Sequence, residues 1–322
     1  MTQNLAHRLP VRIGTRGSPL ALRQAEMVAD MLQQNCPALG KPGAVEIVII
    51  KTSGDMTQTG DKPLSEAGNK GLWTKEIEDA LLAERIDLAV HCMKDMPTVL
   101  PEGLEIGVML ERADPRDAFF SRDGSNLKTL PAGSVVGTAS LRRQALVQAL
   151  RPDLKVVPLR GNVGTRLDKL AAGQVDATLL AMAGLERLGL LDKVTCPLEA
   201  DEFLPAIAQG ALGLEVRSND VELKALLMVL HCARTGLLVT AERALLAALD
   251  GSCKTPIAGL ATTTDDVTLT LKALIARPDG SEIIARQISG PMVKAFDLGT
   301  QLGQELKRLA PEGFFSHDCA AH

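Results

Sequence analysis

The chain is short of aromatic residues: its 322 positions hold six Phe, one Trp and no Tyr. Platforms on which nucleic-acid bases stack are therefore scarce, and a formal net charge of -4 provides no global basic field for a polyanionic backbone. A nucleic-acid partner is not expected. No uninterrupted apolar run approaches the ~20 residues of a membrane-spanning helix. The first residues, MTQNLAHRLPVRIGTRG, break every apolar stretch with Arg, Pro or Gly and so lack the core of a secretory signal. These absences predict a soluble protein, no membrane partner and a cytoplasmic location. Cysteine is present without pattern: Cys36, Cys92, Cys196, Cys232, Cys253 and Cys319 include no CxxC and no Cys/His pair at metal-ligand spacing. No metal site and no disulfide framework are predicted, and any anion handled here should be small and met by a local basic cluster.

What the chain does have is an ordinary globular balance, 46% hydrophobic and 23% charged, over a length that predicts two or three domains. VRIGT at 11–15 reads as a strand, and Ser18-Pro19 supplies an N-cap and first-turn Pro for the helix through LALRQAEMVADML. EIVIIKT at 46–52 is a second strand, KEIEDALLAER at 75–85 an amphipathic helix and IDLAVH at 86–91 a third strand. This βαβαβ alternation predicts a parallel sheet with helices on its faces. A shorter copy begins near 134, where SVVGTASLRRQALVQAL echoes RIGTRGSPLALRQAEMV; KVVPLRG and TRLDKLAAGQVDATLLA continue the echo. Beyond about 232 the helix AERALLAALD, the strands VTLTLKALIA and EIIARQIS, and a last helix through VKAFDLGTQLGQELKRLA predict a small α+β domain. The expected architecture is two similar α/β domains flanking a cleft, periplasmic-binding-protein-like in layout, plus the C-terminal α+β domain. The predicted spans are 1–112 with about 210–230, 113–209, and 231–322.

In an open α/β sheet, ligands lie beyond the carboxyl ends of the strands. Those ends are basic here. Arg16 and Ser18 follow the first strand, Lys94 and Asp95 follow the strand at 86–91, and Lys70 lies in the Gly-rich AGNKGLW. The second copy contributes Ser140, Arg142 and Arg143 at a helix start, then Arg160 and Arg166 in RGNVGTR. Helix-start N–H groups favour anions and Arg forks match carboxylates, so the pattern points to a small polyanion. Taken singly, each residue has a plainer explanation: solvated arginines, capping serines, turn glycines. GNVG matches neither a Walker loop nor a full dinucleotide fingerprint, which leaves a nucleotide site unsupported. Recurrence at equivalent ends of both copies is what capping alone does not require. Asp95 is the one acid among these cations, either a local ion pair with Lys94 or a turn cap, or else an anion that stabilises a cationic N–H group or acts as general acid/base. His91 reads as a satisfied core histidine, and Cys253, beside Lys254 in DGSCKTP, as either an unremarkable thiol or a covalent anchor.

The stretches IGTRGSPLALRQA, GNKGLWTKEIEDALL, DLAVHCMKDMP, DPRDAF, VGTASLRRQ, LRGNVGTRL, AGLERLG, AQGALGLE and GSCKTPIAG together resemble the porphobilinogen deaminase (hydroxymethylbilane synthase) family, almost continuously from about 11 to 259. The resemblance implies a monomeric enzyme of tetrapyrrole (haem-type) biosynthesis. It would condense four porphobilinogen molecules head to tail, releasing ammonia, to give hydroxymethylbilane. It implies a covalent dipyrromethane cofactor, one per chain, in thioether linkage to Cys253, with Lys94, Thr138, Ser140, Arg142 and Arg143 around it. Asp95 is implied as the catalytic residue at the pyrrole nitrogens. Arg16, Ser18, Lys70, Arg160, Arg166 and Arg187 are implied to hold the carboxylates of porphobilinogen and of the growing pyrrole chain. The sequence departs from the family pattern at Cys92, where a small hydroxyl residue is common, at Trp73, where Phe is usual, and at Glu66, where some members are basic. Two other classes remain to be weighed: a two-lobed anion-binding protein, which has no use for the GSC loop, and a regulatory ligand-binding domain, which would need a DNA-binding appendage that the sequence does not contain. Intact mass separates them, because only the enzyme carries a covalent two-pyrrole addition.

Overall fold

The computed structural model describes residues 9–53, 74–251 and 255–315. The chain forms two compact units, Met1–Arg112 with Ala211–Gly236, and Ala113–Gly210 with Leu237–His322.

The first unit contains β1 (Val11–Thr15), α1 (Pro19–Asn35), β2 (Val45–Ile49), α2 (Lys75–Leu82), β3 (Leu88–Cys92), β4 (Leu104–Met109), β10 (Leu212–Arg217) and α6 (Val221–Leu227). The five strands form one sheet in the order β2-β1-β3-β10-β4. β1 runs parallel to β2 and β3, as the βαβ pattern predicts, whereas β10 is antiparallel to both of its neighbours. The all-parallel expectation therefore gives way to a mixed sheet. The parallel rule governs strands joined by a helical crossover, and no such crossover joins β10 to β3 or β4. In α1, Ala25, Val28 and Leu32 recur at helical spacing and pack on Ile13, Leu88, Val90 and Leu214. Ile77 and Leu81 of α2 cover the opposite face against Ile86 and Ala89. Leu32 is fully buried, and truncating such a side chain to Ala costs about 2–5 kcal/mol.

The second unit repeats the plan with β5 (Asp117–Ser121), β6 (Val135–Gly137), α3 (Leu141–Leu150), β7 (Lys155–Val157), α4 (Val163–Ala171), β8 (Ala177–Ala181), α5 (Met182–Arg187) and β9 (Cys196–Leu198). Its sheet runs β7-β6-β8-β5-β9, with β6 parallel to β7 and β8, and β5 antiparallel to β8 and β9. The duplication read in the sequence is thus also a duplication of topology. The shared Gly-Thr has one reason in both copies: a Cβ on Gly14 would lie 2.2 Å from the Ile86 side chain, and one on Gly137 would lie 2.8 Å from Leu159. β7 stops short of the predicted 155–161 because Pro158 follows it and has no N–H for the ladder.

The remainder is a smaller α+β domain: α7 (Ala233–Ala248), β11 (Ile257–Thr262), β12 (Thr268–Ala276), β13 (Ile283–Pro291) and α8 (Ala295–Leu309). Its three strands form an antiparallel meander. Ala258, Leu260, Leu274 and Ala276 share one apolar core with Phe119, Leu146 and Phe203, which joins this domain to the second sheet in a single compact unit. No single helix among the described residues is long and apolar enough to cross a membrane.

Candidate active site

β1 and β3 lie side by side and parallel, so their carboxyl ends share one edge. Past β1 the chain presents half-buried Arg16, then Ser18, whose hydroxyl caps α1 by accepting the Ala21 N–H at 3.4 Å. Past β3 it makes a one-turn 3-10 helix over Met93–Asp95, with Met93 buried as the plug. The Met93 N–H donates to the Ala211 carbonyl at 3.1 Å and the Met96 N–H to the Met93 carbonyl at 3.3 Å. That frame fixes Lys94 half-buried and Asp95 exposed. No hydrogen bond or ion pair ties the Asp95 carboxylate to another described residue, so the plainer reading of a Lys94–Asp95 ion pair is not what the structure contains.

Two neighbours on β3 are structural. His91 is buried, its Nε2 at 2.9 Å from Glu215 Oε2, the satisfied core histidine that the strand alternation predicts. Glu78 of α2 is buried nearby. Burial pushes its carboxyl above the ordinary range, and the charge of Glu215 adds to the shift. Cys92 meets the buried amide of Gln24, whose Nε2 donates to the Cys92 sulfur at 3.1 Å.

In the second unit the matching strand ends are more heavily engaged. Ser140 caps α3 by accepting the Arg143 N–H at 3.4 Å, and its own N–H donates to Thr138 Oγ1 at 3.2 Å. A capping hydroxyl keeps its proton, so Ser18 and Ser140 can cap a helix and still donate to a bound carboxylate. Arg142 and Arg143 are only 4% and 6% exposed, and both converge on Asp117, which is fully buried at the start of β5. Arg142 Nη2 donates to Asp117 Oδ2 and Arg143 Nη2 to Asp117 Oδ1, each at 2.7 Å. Their Nη1 groups donate to the Leu204 and Leu179 carbonyls at 2.9 and 2.8 Å. Burial by itself would raise the Asp117 carboxyl; the two guanidiniums reverse this and hold it well below the usual carboxylate range. Two cations share one buried anion, leaving one positive charge over, and each five-donor guanidinium keeps donors beyond these contacts.

Arg160 is half-buried beyond β7, and its carbonyl accepts from Lys169 Nζ at 3.2 Å. Arg166 on α4 donates through Nε to the Gly161 carbonyl at 2.8 Å, and Arg187, at the end of α5, through Nη2 to the Gly210 carbonyl at 2.7 Å. Lys70, Cys253, Glu66 and Trp73 lie outside the described residues. Sequence reasoning missed Asp117 and Gln209. The signals were present: an acid opening the otherwise apolar DAFF, and a single amide among the small residues of AIAQGALG.

A family model described as the dipyromethane cofactor binding domain of porphobilinogen deaminase matches residues 11–225, and the model of the C-terminal domain of porphobilinogen deaminase matches 236–308. The porphobilinogen deaminase of Paracoccus denitrificans is 53% identical over 316 residues, covering 98% of this chain and 99% of that one. The chloroplastic porphobilinogen deaminase of Oryza sativa is 52% identical over 309 residues, covering 95% and 85%. Among solved structures, the periplasmic aliphatic sulphonate binding protein of Escherichia coli aligns over 74% of this chain and 70% of that one, with 16% identity and a TM-score of 0.39, too loose a likeness to carry weight.

Proposed function

Because the chain belongs to the porphobilinogen deaminase family, we propose that its MKD turn and basic strand ends carry out the family's reaction, with Asp95 as the catalytic residue. That reaction condenses porphobilinogen units into hydroxymethylbilane with loss of ammonia, and dipyrromethane is its cofactor. The observation that carries the proposal is the state of Asp95: an exposed carboxylate, untied to any described residue, held on a rigid turn at the edge where Arg16 and Lys94 also emerge.

The chemistry follows from charge. Each porphobilinogen brings two carboxylates, and positive charge spreads onto a ring N–H as ammonia leaves. A competent site must hold many anionic groups and stabilise one developing cation. Arg16, Ser18, Lys70, Arg160, Arg166 and Arg187 are proposed to bind substrate and product carboxylates, and Asp95 to accept from pyrrole N–H groups as their charge grows. The residues present fit a carboxylate-rich cofactor: the Asp117 cluster carries one surplus positive charge in a buried setting, where a countercharge is worth most. Lys94, Thr138, Ser140, Arg142 and Arg143 would hold the dipyrromethane carboxylates, with Cys253 as the thioether anchor. When bound, the cofactor supplies the primer to which new units are joined. We propose further that the chain acts as a monomer.

Intact mass is the direct test. Wild-type protein should carry a covalent two-pyrrole addition, lost in Cys253→Ser and kept in Cys36→Ser, whereas an unmodified wild-type mass would overturn the assignment. Light scattering that returned a dimer mass would overturn the monomer.

A further inference from the structure

Glu242 lies in the middle of α7 and is completely buried. Its two carboxylate oxygens accept from two different stretches of backbone: Oε2 takes the Ala208 N–H at 2.6 Å, and Oε1 takes the Ala261 N–H of β11 at 2.8 Å. α7 and β11 are the elements that precede and follow the Cys253 segment in sequence. One side chain therefore fastens both of them to the segment Leu204–Gly210. That segment needs fastening. Ala208 sits at a φ of +58°, a left-handed conformation that a residue with a Cβ adopts only when its surroundings impose it.

The next residue transmits the constraint. Gln209 is buried, and its Nε2 donates to the Pro115 carbonyl at 2.7 Å and to Asp117 Oδ1 at 3.1 Å. Asp117 in turn orients Arg142 and Arg143, and Arg142 also holds the Leu204 carbonyl at the other end of the same segment. A closed circuit of hydrogen bonds thus runs from α7 and β11, through residues 204–209, to the arginine pair. We propose that Glu242 is a positioning residue for the reaction: by locking the Ala208–Gln209 backbone it sets Asp117, and hence the guanidiniums that receive cofactor carboxylates, in register with the elements on either side of the cofactor attachment point. The inference rests on the reading of Arg142, Arg143 and Cys253 as cofactor-binding residues. It adds a residue that touches neither substrate nor cofactor.

Glu242→Gln is nearly isosteric but presents an amide N–H₂ to one of the two backbone N–H groups, donor against donor, and so opens the circuit at one point. Gln209→Met opens it at another while leaving Glu242 intact. The test is a double-mutant cycle on these two substitutions, made in the full-length enzyme. It reads kcat and KM, the fraction carrying the two-pyrrole mass, and thermal unfolding by circular dichroism. Each single variant should lower kcat about ten- to a hundredfold, as small misplacements of binding groups do, with KM little changed and the protein still folded at the assay temperature. The double variant should be no worse than the poorer single, because a circuit broken once is already open. Losses that multiply in the double variant, or an unchanged kcat beside a lowered melting temperature, would overturn the proposal. If Glu242→Gln does not fold, Gln209→Met alone decides: an unchanged kcat overturns it. The cofactor reading fails separately, if Cys253→Ser retains the two-pyrrole mass.

Discussion

Replacing Asp95 by Asn removes one negative charge and leaves the size and an acceptor oxygen of the side chain in place. Asp95 is exposed and makes no hydrogen bond or ion pair with any described residue. Its loss should therefore shift stability by no more than about 0.5 kcal/mol, the range of ordinary surface substitutions. The effect on rate is different in kind. A carboxylate about 4 Å from a unit positive charge, at an effective dielectric of about 20, is worth about 4 kcal/mol. Only the part gained between bound substrate and transition state enters kcat, and about 1.4 kcal/mol corresponds to tenfold. If about 70% or more of the interaction, about 2.8 kcal/mol, develops as ammonia leaves, kcat falls about a hundredfold or more, with a modest change in KM. Asp95→Glu keeps the charge and misplaces it by one methylene, so it should be the better enzyme of the two. Steady-state kinetics on Asp95→Asn and Asp95→Glu, with thermal unfolding of both, form the assay. Should Asn outperform Glu, or should activity fall only in step with stability, electrostatic stabilisation by Asp95 is the wrong mechanism.

Arg142→Leu or Arg143→Leu should impair cofactor assembly and also lower stability by about 3–5 kcal/mol, because each leaves the buried Asp117 with a broken ion pair. Arg166→Leu, which gives up an Nε contact to the Gly161 carbonyl just ahead of α4 and breaks no buried ion pair, should impair elongation with little change in the urea midpoint. Equal destabilisation by all three substitutions would show that the buried pair is no special case. Glu78, raised above its ordinary range by burial, contributes stability with its proton on; that contribution is complete below about pH 4 and is lost as pH rises through the folded value. Glu78→Gln does not titrate, so its urea midpoint should gain on wild type between about pH 5 and about pH 8, and a constant difference across that range would refute the assignment.

The βαβαβ run of each copy was legible because its apolar residues keep period and because Ser18-Pro19 and Ser140 mark the starts of the helices that follow them, whereas the Asn162 cap, which starts α4 at Val163, two residues ahead of the expected 165, shows only in the structure. The cations at the strand ends were legible for the same reason, since a residue one step past a strand is at an edge whatever the rest of the fold does. The direction of β10 was not legible, because it follows from a long-range connection and not from any local pattern. Nor was the commitment of Arg142 and Arg143. Whether a guanidinium faces solvent or a buried carboxylate depends on Asp117, some 25 residues away on an antiparallel strand. Glu242 stood in the quoted AERALLAALD as one more polar position of a helix, and only the packing of β11 and residues 204–210 around it gives its two oxygens their partners.

The place of β10 between β3 and β4 bears on how the chain is made. A ribosome delivers residues in order, and β10 begins at Leu212, after every strand of the second sheet has been synthesised. Until then β4, which among the described residues pairs with β10 alone, lacks that neighbour, and β3 lacks its β10 partner on one edge. The N-terminal segment thus waits, incomplete, while the sheet encoded in the middle of the gene gathers all five of its strands and can close first. A nascent chain stalled between about 198 and 211 would hold all five strands of the second sheet while the first sheet still lacked β10.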